Sequence, residues 1–133
     1  MTEKIEVEKL SGVSVLIVED EPAIQTYIRM TLENAGAKTM LAKNGFDAIH
    51  LFKTNNFHAI VSDLNMPGGH GDDFMATLSA VQTHPPVIFV TGDSSKERHN
   101  KVYLSGAAAV LKKPINSIIL IDIVARCVKK KWM

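Results

Sequence analysis

The chain alternates short apolar runs with longer segments in which apolar residues recur three or four positions apart. The runs are rich in β-branched residues, which is typical of strands buried on both faces of a sheet. The helical spacing of the intervening segments predicts amphipathic helices. The predicted strands cover residues 13–18, 39–42, 59–61, 87–90 and 107–111, and the predicted helices cover about 22–34, 46–52, 74–81, 95–104 and 115–128.

Five strands that alternate with five helices predict a parallel sheet with helices on both faces. Because crossover connections between parallel strands are right-handed, few topologies are open to so short a chain. We expect a flavodoxin-like doubly wound (βα)5 fold, an α/β fold whose five-stranded parallel sheet has the strand order 2-1-3-4-5. Its predicted extent is residues 12–128, with a flexible lead-in at 1–11 and a basic tail at 129–133.

Composition narrows the class of protein without naming a function. A length of 133 residues suits one domain, and a formal charge of +1 gives no sign of direct nucleic-acid binding. Cys127 is the only cysteine, which excludes an internal disulfide and a thiolate zinc cluster and suits a reducing compartment. The sequence has neither an apolar stretch of about 18 residues nor a signal peptide at its start, so we expect a cytoplasmic protein that does not contact a membrane.

Polar residues follow four of the five apolar runs. Glu19 and Asp20 follow the first run, Asp63 the third, Thr91 the fourth and Lys113 the fifth. Ligands of a doubly wound sheet bind beyond the carboxyl ends of its strands. Since these four strands are neighbours in the expected order, their polar side chains should meet in one crevice.

The meeting of these side chains predicts phosphoryl chemistry. Clustered carboxylates need a cation, and hard oxygen ligands without His or Cys suit Mg²⁺. A metal ion, Lys113 and the Thr91 hydroxyl around Asp63 would form a clamp for a phosphoryl group, with Asp63 as the nucleophile. Taken singly, Asp20 could be only a helix cap, Asp63 and Thr91 turn residues, and Lys113 a solvated loop residue. Their convergence at one edge of the sheet favours the functional interpretation.

Four short motifs carry a resemblance to a known family. They are VLIVEDE at 15–21, SDLNMPG at 62–68, VTG at 90–92 and KKP at 112–114. In order and spacing they resemble the receiver domain of two-component response regulators, of the chemotaxis-Y-like type. The resemblance extends over about residues 13–128.

This resemblance implies a role for each matching residue. Asp63 would accept a phosphoryl group from a sensor histidine kinase or a histidine phosphotransfer protein. Glu19, Asp20 and Asp63 would hold Mg²⁺, together with the backbone carbonyl of Asn65. The chain would therefore be a signalling switch whose output protein or domain the sequence does not identify.

Two further matches concern the phosphoryl group once it is attached. Thr91 would be the switch hydroxyl that moves to a phosphoryl oxygen. Lys113 would pair first with Asp63 and then with the phosphoryl group, and the peptide bond between Lys113 and Pro114 would be cis. Beyond self-catalysed phosphoryl acceptance and autodephosphorylation, the resemblance implies no enzymatic activity.

Several positions depart from the family's pattern. Glu19 stands where aspartate is more common, which adds one methylene and keeps the charge. Gly69 and His70 replace a methionine and an aspartate in the loop after Asp63, so we expect that loop to be more flexible. Val110 occupies a position that often carries Tyr or Phe, and valine cannot make the rotation by which that aromatic ring is coupled to the threonine.

Two other functions stay open. A haloacid-dehalogenase-like phosphatase has a similar sheet, but it would need a second aspartate where this chain has Asn65. A degenerate receiver would only bind proteins, which the intact Asp63, Asp20, Thr91 and Lys113 disfavour. We expect no output module after residue 128, so the chain would be a stand-alone receiver or one excised from a larger regulator or hybrid kinase.

Overall fold

A five-stranded parallel sheet forms the centre of the molecule. The structure is a computed structural model, and it describes residues 9–66, 69–80, 83–92 and 95–131. The strands lie in the order β2-β1-β3-β4-β5, which confirms the predicted flavodoxin-like topology. Their bounds are Ser14–Val18 (β1), Lys38–Ala42 (β2), Ala59–Asp63 (β3), Val87–Thr91 (β4) and Ala109–Lys112 (β5).

Helices follow each strand, and local sequence signals explain where several of them begin and end. Pro22 opens the first helix, and Asn44 and Ser95 cap the second and fourth by accepting backbone N–H groups. Gly36 follows the first helix with a φ of 101°, a conformation that glycine adopts without strain. The helices are Pro22–Asn34 (α1), Gly45–Thr54 (α2), Gly71–Ser79 (α3), Lys96–Leu104 (α4) and Ser117–Lys131 (α5).

The register of the sheet brings the ends of four strands together. Val18 pairs with Ser62 across β1 and β3, and Asp63 pairs with Val90 across β3 and β4. The last pair of β4 and β5 joins Thr91 to Lys112. The residues that follow these pairs therefore emerge at one edge, as the alternation of apolar runs predicts.

The apolar core consists of two clusters, one on each face of the sheet. Residues of β1, β3 and β4 alternate between the clusters, as strands buried on both faces must. Ile28 and Leu32 of α1 pack with α5 on the first face, whereas Phe74 and Met75 of α3 pack on the second face with α2 and α4. Cys127 is half-buried against the first cluster.

The core extends into the region predicted as a flexible lead-in. Leu10 is fully buried in the first cluster, its N–H donates to the carbonyl of Ala35 at 2.7 Å, and its carbonyl accepts from Val13 at 3.0 Å. Lys9 forms an ion pair with Asp122 of α5 at 3.3 Å. Residues 9–11 thus belong to the packed domain, because one large apolar side chain anchors them; residues 1–8 of the predicted lead-in lie outside the described residues.

Other differences from the sequence-based expectations are local. Residues Asn65–Met66 and Gly69–His70 form a two-residue antiparallel ladder, which is too short for any periodicity to predict. Phe46 begins the segment whose apolar residues predict α2, but it is 88% exposed. Residues Lys129–Lys131 of the predicted tail continue α5, where lysines at a helix C-terminus interact favourably with the helix dipole. Val81, expected at the end of α3, lies outside the described residues.

Within the described ranges, no helix combines the length and apolarity needed to cross a membrane.

The burial of Leu10 predicts a large effect on stability. Leu10→Ala should lower the free energy of unfolding by about 2–5 kcal/mol, because it deletes a fully buried side chain from the core. Leu104→Ala is the matched control, since Leu104 is 90% exposed, and it should change that free energy by less than about 0.5 kcal/mol. Urea unfolding measures both. Equal losses in the two variants would contradict the inclusion of residues 9–11 in the domain.

Candidate functional site

Asp63 lies at the carboxyl end of β3, the middle strand of the sheet. The residue is buried, with 6% of its surface exposed. Its Oδ1 accepts the backbone N–H of Asn65 at 3.1 Å, so the chain turns sharply just after the strand. A carboxylate held in this way has a fixed orientation toward the crevice beyond the strand ends.

Two more carboxylates come from the residues that follow β1. Glu19 is fully buried, and its Oε2 accepts the backbone N–H of Glu21 at 3.2 Å. Its own backbone is held on both sides: its N–H donates to Ala42 at 3.0 Å, and its carbonyl accepts from the Gln25 side chain. Asp20 is exposed. One carboxylate oxygen from each of Glu19, Asp20 and Asp63 lies within 4.8 Å of the others, close enough for all three to ligate one cation.

Lys113 supplies the positive charge of the cluster. Its Nζ lies 3.5 Å from Asp63 Oδ2 and 3.4 Å from Glu19 Oε1. The backbone N–H of Lys113 donates to the Thr91 carbonyl at 2.8 Å, which continues the β4–β5 pairing past the end of β5. The peptide bond between Lys113 and Pro114 is cis. Three carboxylates thus face one ammonium, which leaves two negative charges in excess when all four groups are ionised.

Thr91 and Gly92 occupy the end of β4, next to Asp63 in the sheet. Thr91 is fully buried. Gly92 is exposed, and a Cβ atom built at this position meets no atom within 4 Å. A side chain at position 92 would therefore begin in open space.

The comparisons with known proteins show the family of the chain. The family model of the response regulator receiver domain matches residues 15–125. The chain belongs to the response regulator receiver family. The membership confirms the resemblance carried by the four sequence motifs.

Individual relatives are between 26% and 30% identical to this receiver over the aligned residues. Response regulator protein FleR of Pseudomonas aeruginosa is 30% identical over 84% of the chain, and chemotaxis protein CheY-3 of Vibrio cholerae is 27% identical over 82%. The chain spans 24% of FleR but 86% of CheY-3. It also spans 17% of the sensory/regulatory protein RpfC of Xanthomonas campestris, with which it shares 26% identity over 88% of its own length.

Solved structures show the same fold. The receiver domain of the Francisella response regulator 1452 is 30% identical and superposes with a TM-score of 0.85, covering 90% of this chain and 99% of that one. Chemotaxis response regulator CheY4 of Vibrio cholerae is 29% identical with a TM-score of 0.76, covering 86% of this chain and 98% of that one. Receivers of this family are signalling modules, and phosphorylation-dependent signalling is the function that the membership supports.

The residues that the sequence predicts for the site are distributed in two groups in the receiver. Glu19, Asp20, Asp63 and Lys113 form one cluster, with Thr91 at the end of the neighbouring strand. Asn65 is exposed, and its side chain is turned toward α4. There its Oδ1 accepts a hydrogen bond from Arg98 Nη1, and Arg98 Nη2 lies 3.4 Å from the carbonyl of Leu64.

Sequence reasoning missed Arg98 in this receiver. Its position three residues after the cap Ser95 indicates the first turn of α4, but not the direction of its side chain. It also missed the hydroxyl of Tyr103, which accepts the backbone N–H of Val110 at 3.0 Å. An aromatic residue thus does contact position 110, but it comes from α4 rather than from β5. The side chain of His70, in the loop that departs from the family's pattern, is not among those described.

Burial disfavours the charged form of the Glu19 carboxyl. Burial raises the pKa of the Glu19 carboxyl above its ordinary value of 4.5, and the negative charge of Asp63 raises it further. The Glu21 N–H and the Lys113 ammonium lower the same pKa without cancelling the effect of burial. A raised pKa in the folded state means that Glu19 favours folding below pH 4.5, and that this contribution is lost as the pH rises through the folded-state pKa.

The raised pKa of Glu19 predicts a stabilising substitution. Without divalent cations, Glu19→Gln should raise the urea midpoint of unfolding near neutral pH, because it removes a buried charge from an acidic cluster. The gain over the wild type should shrink as the pH falls through the raised pKa of Glu19 toward 4.5, because the Glu19 carboxyl then takes up a proton. Glu97→Gln, at an exposed position in the first turn of α4, is the control and should not gain stability. A lower midpoint for Glu19→Gln across the whole pH range would contradict this account of the cluster.

Proposed function

We propose that this receiver accepts a phosphoryl group on Asp63 in the presence of Mg²⁺ and changes its partner binding in response. The donor would be a sensor histidine kinase or a histidine phosphotransfer protein. The observation that carries the proposal is the position of the Asp63 carboxylate, which lies within ion-pairing distance of Lys113 and beside the carboxylates of Glu19 and Asp20. A nucleophile, a fixed cation and a set of hard oxygen donors are what phosphoryl transfer to a carboxylate requires.

The donor set fits Mg²⁺. The described residues of the cluster offer carboxylate oxygens and neither His nor Cys, and Asp20 is exposed to solvent so that water can complete the coordination. Glu19, Asp20 and Asp63 would hold the ion, with the backbone carbonyl of Asn65 as a further ligand. When bound, Mg²⁺ would neutralise the excess negative charge and stabilise the charge on the phosphoryl oxygens.

The proposed reaction forms one bond and breaks one. An Asp63 carboxylate oxygen attacks the phosphorus atom, and the bond between phosphorus and the donor breaks: a P–N bond for a phosphohistidine, a P–O bond for acetyl phosphate. The donor leaves with the bonding electron pair, and Asp63 becomes an aspartyl phosphate. Lys113 then pairs with the phosphoryl group, and the Thr91 hydroxyl donates a hydrogen bond to one of its oxygens.

Gly92 supports the approach of a donor from outside. A Cβ atom built at Gly92 meets no atom within 4 Å, and Asp63 lies at the end of the adjacent strand. A bulky residue at position 92 would occupy the side from which a phosphorylated side chain of a partner protein reaches the carboxylate. The proposed partners are therefore proteins, with no direct role for nucleic acid or membrane.

The nature of the output depends on the rest of the molecule in which the receiver works. FleR, RpfC and the cell cycle transcriptional regulator CtrA of Caulobacter vibrioides are much longer than the matched segment, whereas CheY-3 is close to it in length. We propose an output protein or domain that recognises the phosphorylated state. The proposed location is the cytoplasm, which rests on the resemblance and on the single cysteine.

Turnover of an external phosphate ester is disfavoured. A haloacid-dehalogenase-like phosphatase would need a carboxylic acid two residues after the nucleophile to shuttle a proton. Asn65 has no titratable group, and its side-chain oxygen is hydrogen-bonded to Arg98. A degenerate receiver would bind partners without accepting a phosphoryl group, and the experiment below separates it from the proposed switch.

Incubation with acetyl phosphate and Mg²⁺, followed by intact-mass analysis, tests the proposal. The wild type should gain the mass of one phosphoryl group, and Asp63→Asn should gain none, because an amide oxygen is a poor nucleophile. Asp47→Asn is the matched control, since Asp47 lies in the first turn of α2 away from the cluster, and it should gain the same mass as the wild type. No mass gain in the wild type, or an equal gain in Asp63→Asn, would contradict the proposal; the first result favours a degenerate receiver.

A further inference from the structure

Both ends of helix α4 are hydrogen-bonded to other elements of the receiver. Among its residues, all of which the structure describes, Val102 alone is buried. One buried side chain gives a helix of nine residues little apolar contact with the core. Polar contacts at its ends therefore contribute to fixing its position.

The first end of α4 is tied to the loop that follows the phosphoacceptor. Ser95 caps the helix and accepts the backbone N–H of Arg98 at 3.3 Å, which fixes the backbone from which the guanidinium extends. Arg98 then donates to Asn65 Oδ1 through Nη1, and its Nη2 reaches the Leu64 carbonyl. A planar guanidinium that contacts two acceptors holds their relative orientation as well as their distance.

The second end of α4 is tied to the edge strand of the sheet. The Tyr103 hydroxyl accepts the backbone N–H of Val110 at 3.0 Å, on the side of β5 that has no neighbouring strand in the sheet. Tyr103 is 46% exposed, so the ring covers the strand edge without entering the core. A displacement of α4 would change this contact at position 110. The side chain there is valine, which has no aromatic ring whose rotation could accompany the displacement.

A continuous path of hydrogen bonds joins Asp63 to α4. The Asn65 N–H donates to Asp63 Oδ1 at 3.1 Å, the Asn65 side chain accepts from Arg98, and the Arg98 backbone donates to the cap Ser95. Attachment of a phosphoryl group to Asp63 forms a mixed anhydride and changes the charge and the acceptor strength of the carboxylate oxygens. The Asn65 N–H donates to one of these oxygens, so the change reaches Asn65 directly, and the Asn65 side chain joins that residue to the guanidinium.

We propose that Arg98 is the positioning residue that couples the chemical state of Asp63 to the position of α4. This inference rests on the proposed function, because it needs phosphorylation of Asp63 as the signal. Arg98 does not touch the reacting atoms. It links the loop after the phosphoacceptor directly to the helix, and so provides a route to the surface of the receiver that requires no aromatic side chain at position 110.

Hydrogen–deuterium exchange with mass spectrometry tests the coupling. Peptides covering residues 96–104 are compared with and without acetyl phosphate and Mg²⁺, normalised to the phosphorylated fraction from intact mass. The wild type should show a change in deuterium uptake in α4, and Arg98→Ala should retain less than about a third of that change. Arg98→Lys should resemble Arg98→Ala, because an ammonium cannot hold both acceptors in the fixed geometry of a guanidinium. Lys96→Ala removes one positive charge from an exposed position in the same helix and should respond like the wild type.

A second variant keeps the inference testable if Arg98→Ala folds poorly. Asn65→Ala removes the other partner of the same hydrogen bond, so it should also weaken the α4 response, and the double variant should show no further loss. A full α4 response in phosphorylated Arg98→Ala would overturn the proposal. Phosphorylation of the wild type that leaves deuterium uptake in α4 unchanged would also overturn it. So would an Arg98→Ala variant that folds but accepts no phosphoryl group. Absence of any mass gain in the wild type is a different result, since it would refute the proposed function itself.

Discussion

Negative charge concentrated at the carboxyl end of a buried parallel sheet is the constraint on which the site depends. Glu19 is fully buried and Asp63 nearly so, and Lys113 is the cation within ion-pairing distance of both. For Glu19, burial raises the pKa of the carboxyl by more than the Lys113 ammonium at 3.4 Å and the Glu21 N–H lower it, so keeping this carboxylate charged costs free energy. The receiver therefore holds its functional groups in an arrangement that binding of a divalent cation would relieve.

The rest of the fold maintains this arrangement. Continuous apolar strands place the ends of β1, β3, β4 and β5 at one edge, and the two core clusters fix the strands from both faces. Backbone hydrogen bonds hold the charged residues individually: Glu19 is tied to Ala42, and Lys113 to Thr91. Stability of the core is in this way linked to the geometry of the acidic cluster, because a displaced strand would separate the charges that the proposed function requires to be close together.

The larger features of this structure could be predicted from the sequence because they depend on repeated signals. Runs of β-branched residues identified the strands, and acids, a threonine and a lysine after those runs identified Glu19, Asp63, Thr91 and Lys113. Features that depend on one side chain or a few residues could not be predicted. Leu10 joins the core from outside the periodic region, and the ladder after Asp63 has only two residues on each side.

Arg98 is the clearest example of a feature that could not be predicted from the sequence. Its long side chain reaches a residue 33 positions earlier in the chain, and no periodicity of α4 indicates that direction. Val110 suggested from the sequence that the link between Asp63 and the surface differs from the family's usual one, but not which residues provide it. The contact appears only when the helix and the loop are seen together in space.

Binding of Mg²⁺ measured by urea unfolding tests the central claim, that the acidic cluster is a cation site, most directly. Mg²⁺ should raise the free energy of unfolding of the wild type, by about 2.7 kcal/mol at a concentration one hundred times its Kd, because the ion binds the folded state. Asp20→Asn should lose most of this gain, since it removes one of the three carboxylates without disturbing the core. Two results would contradict the account. In the first, NaCl of the same ionic strength stabilises the wild type as much as Mg²⁺ does. In the second, Asp20→Asn retains the full stabilisation by Mg²⁺.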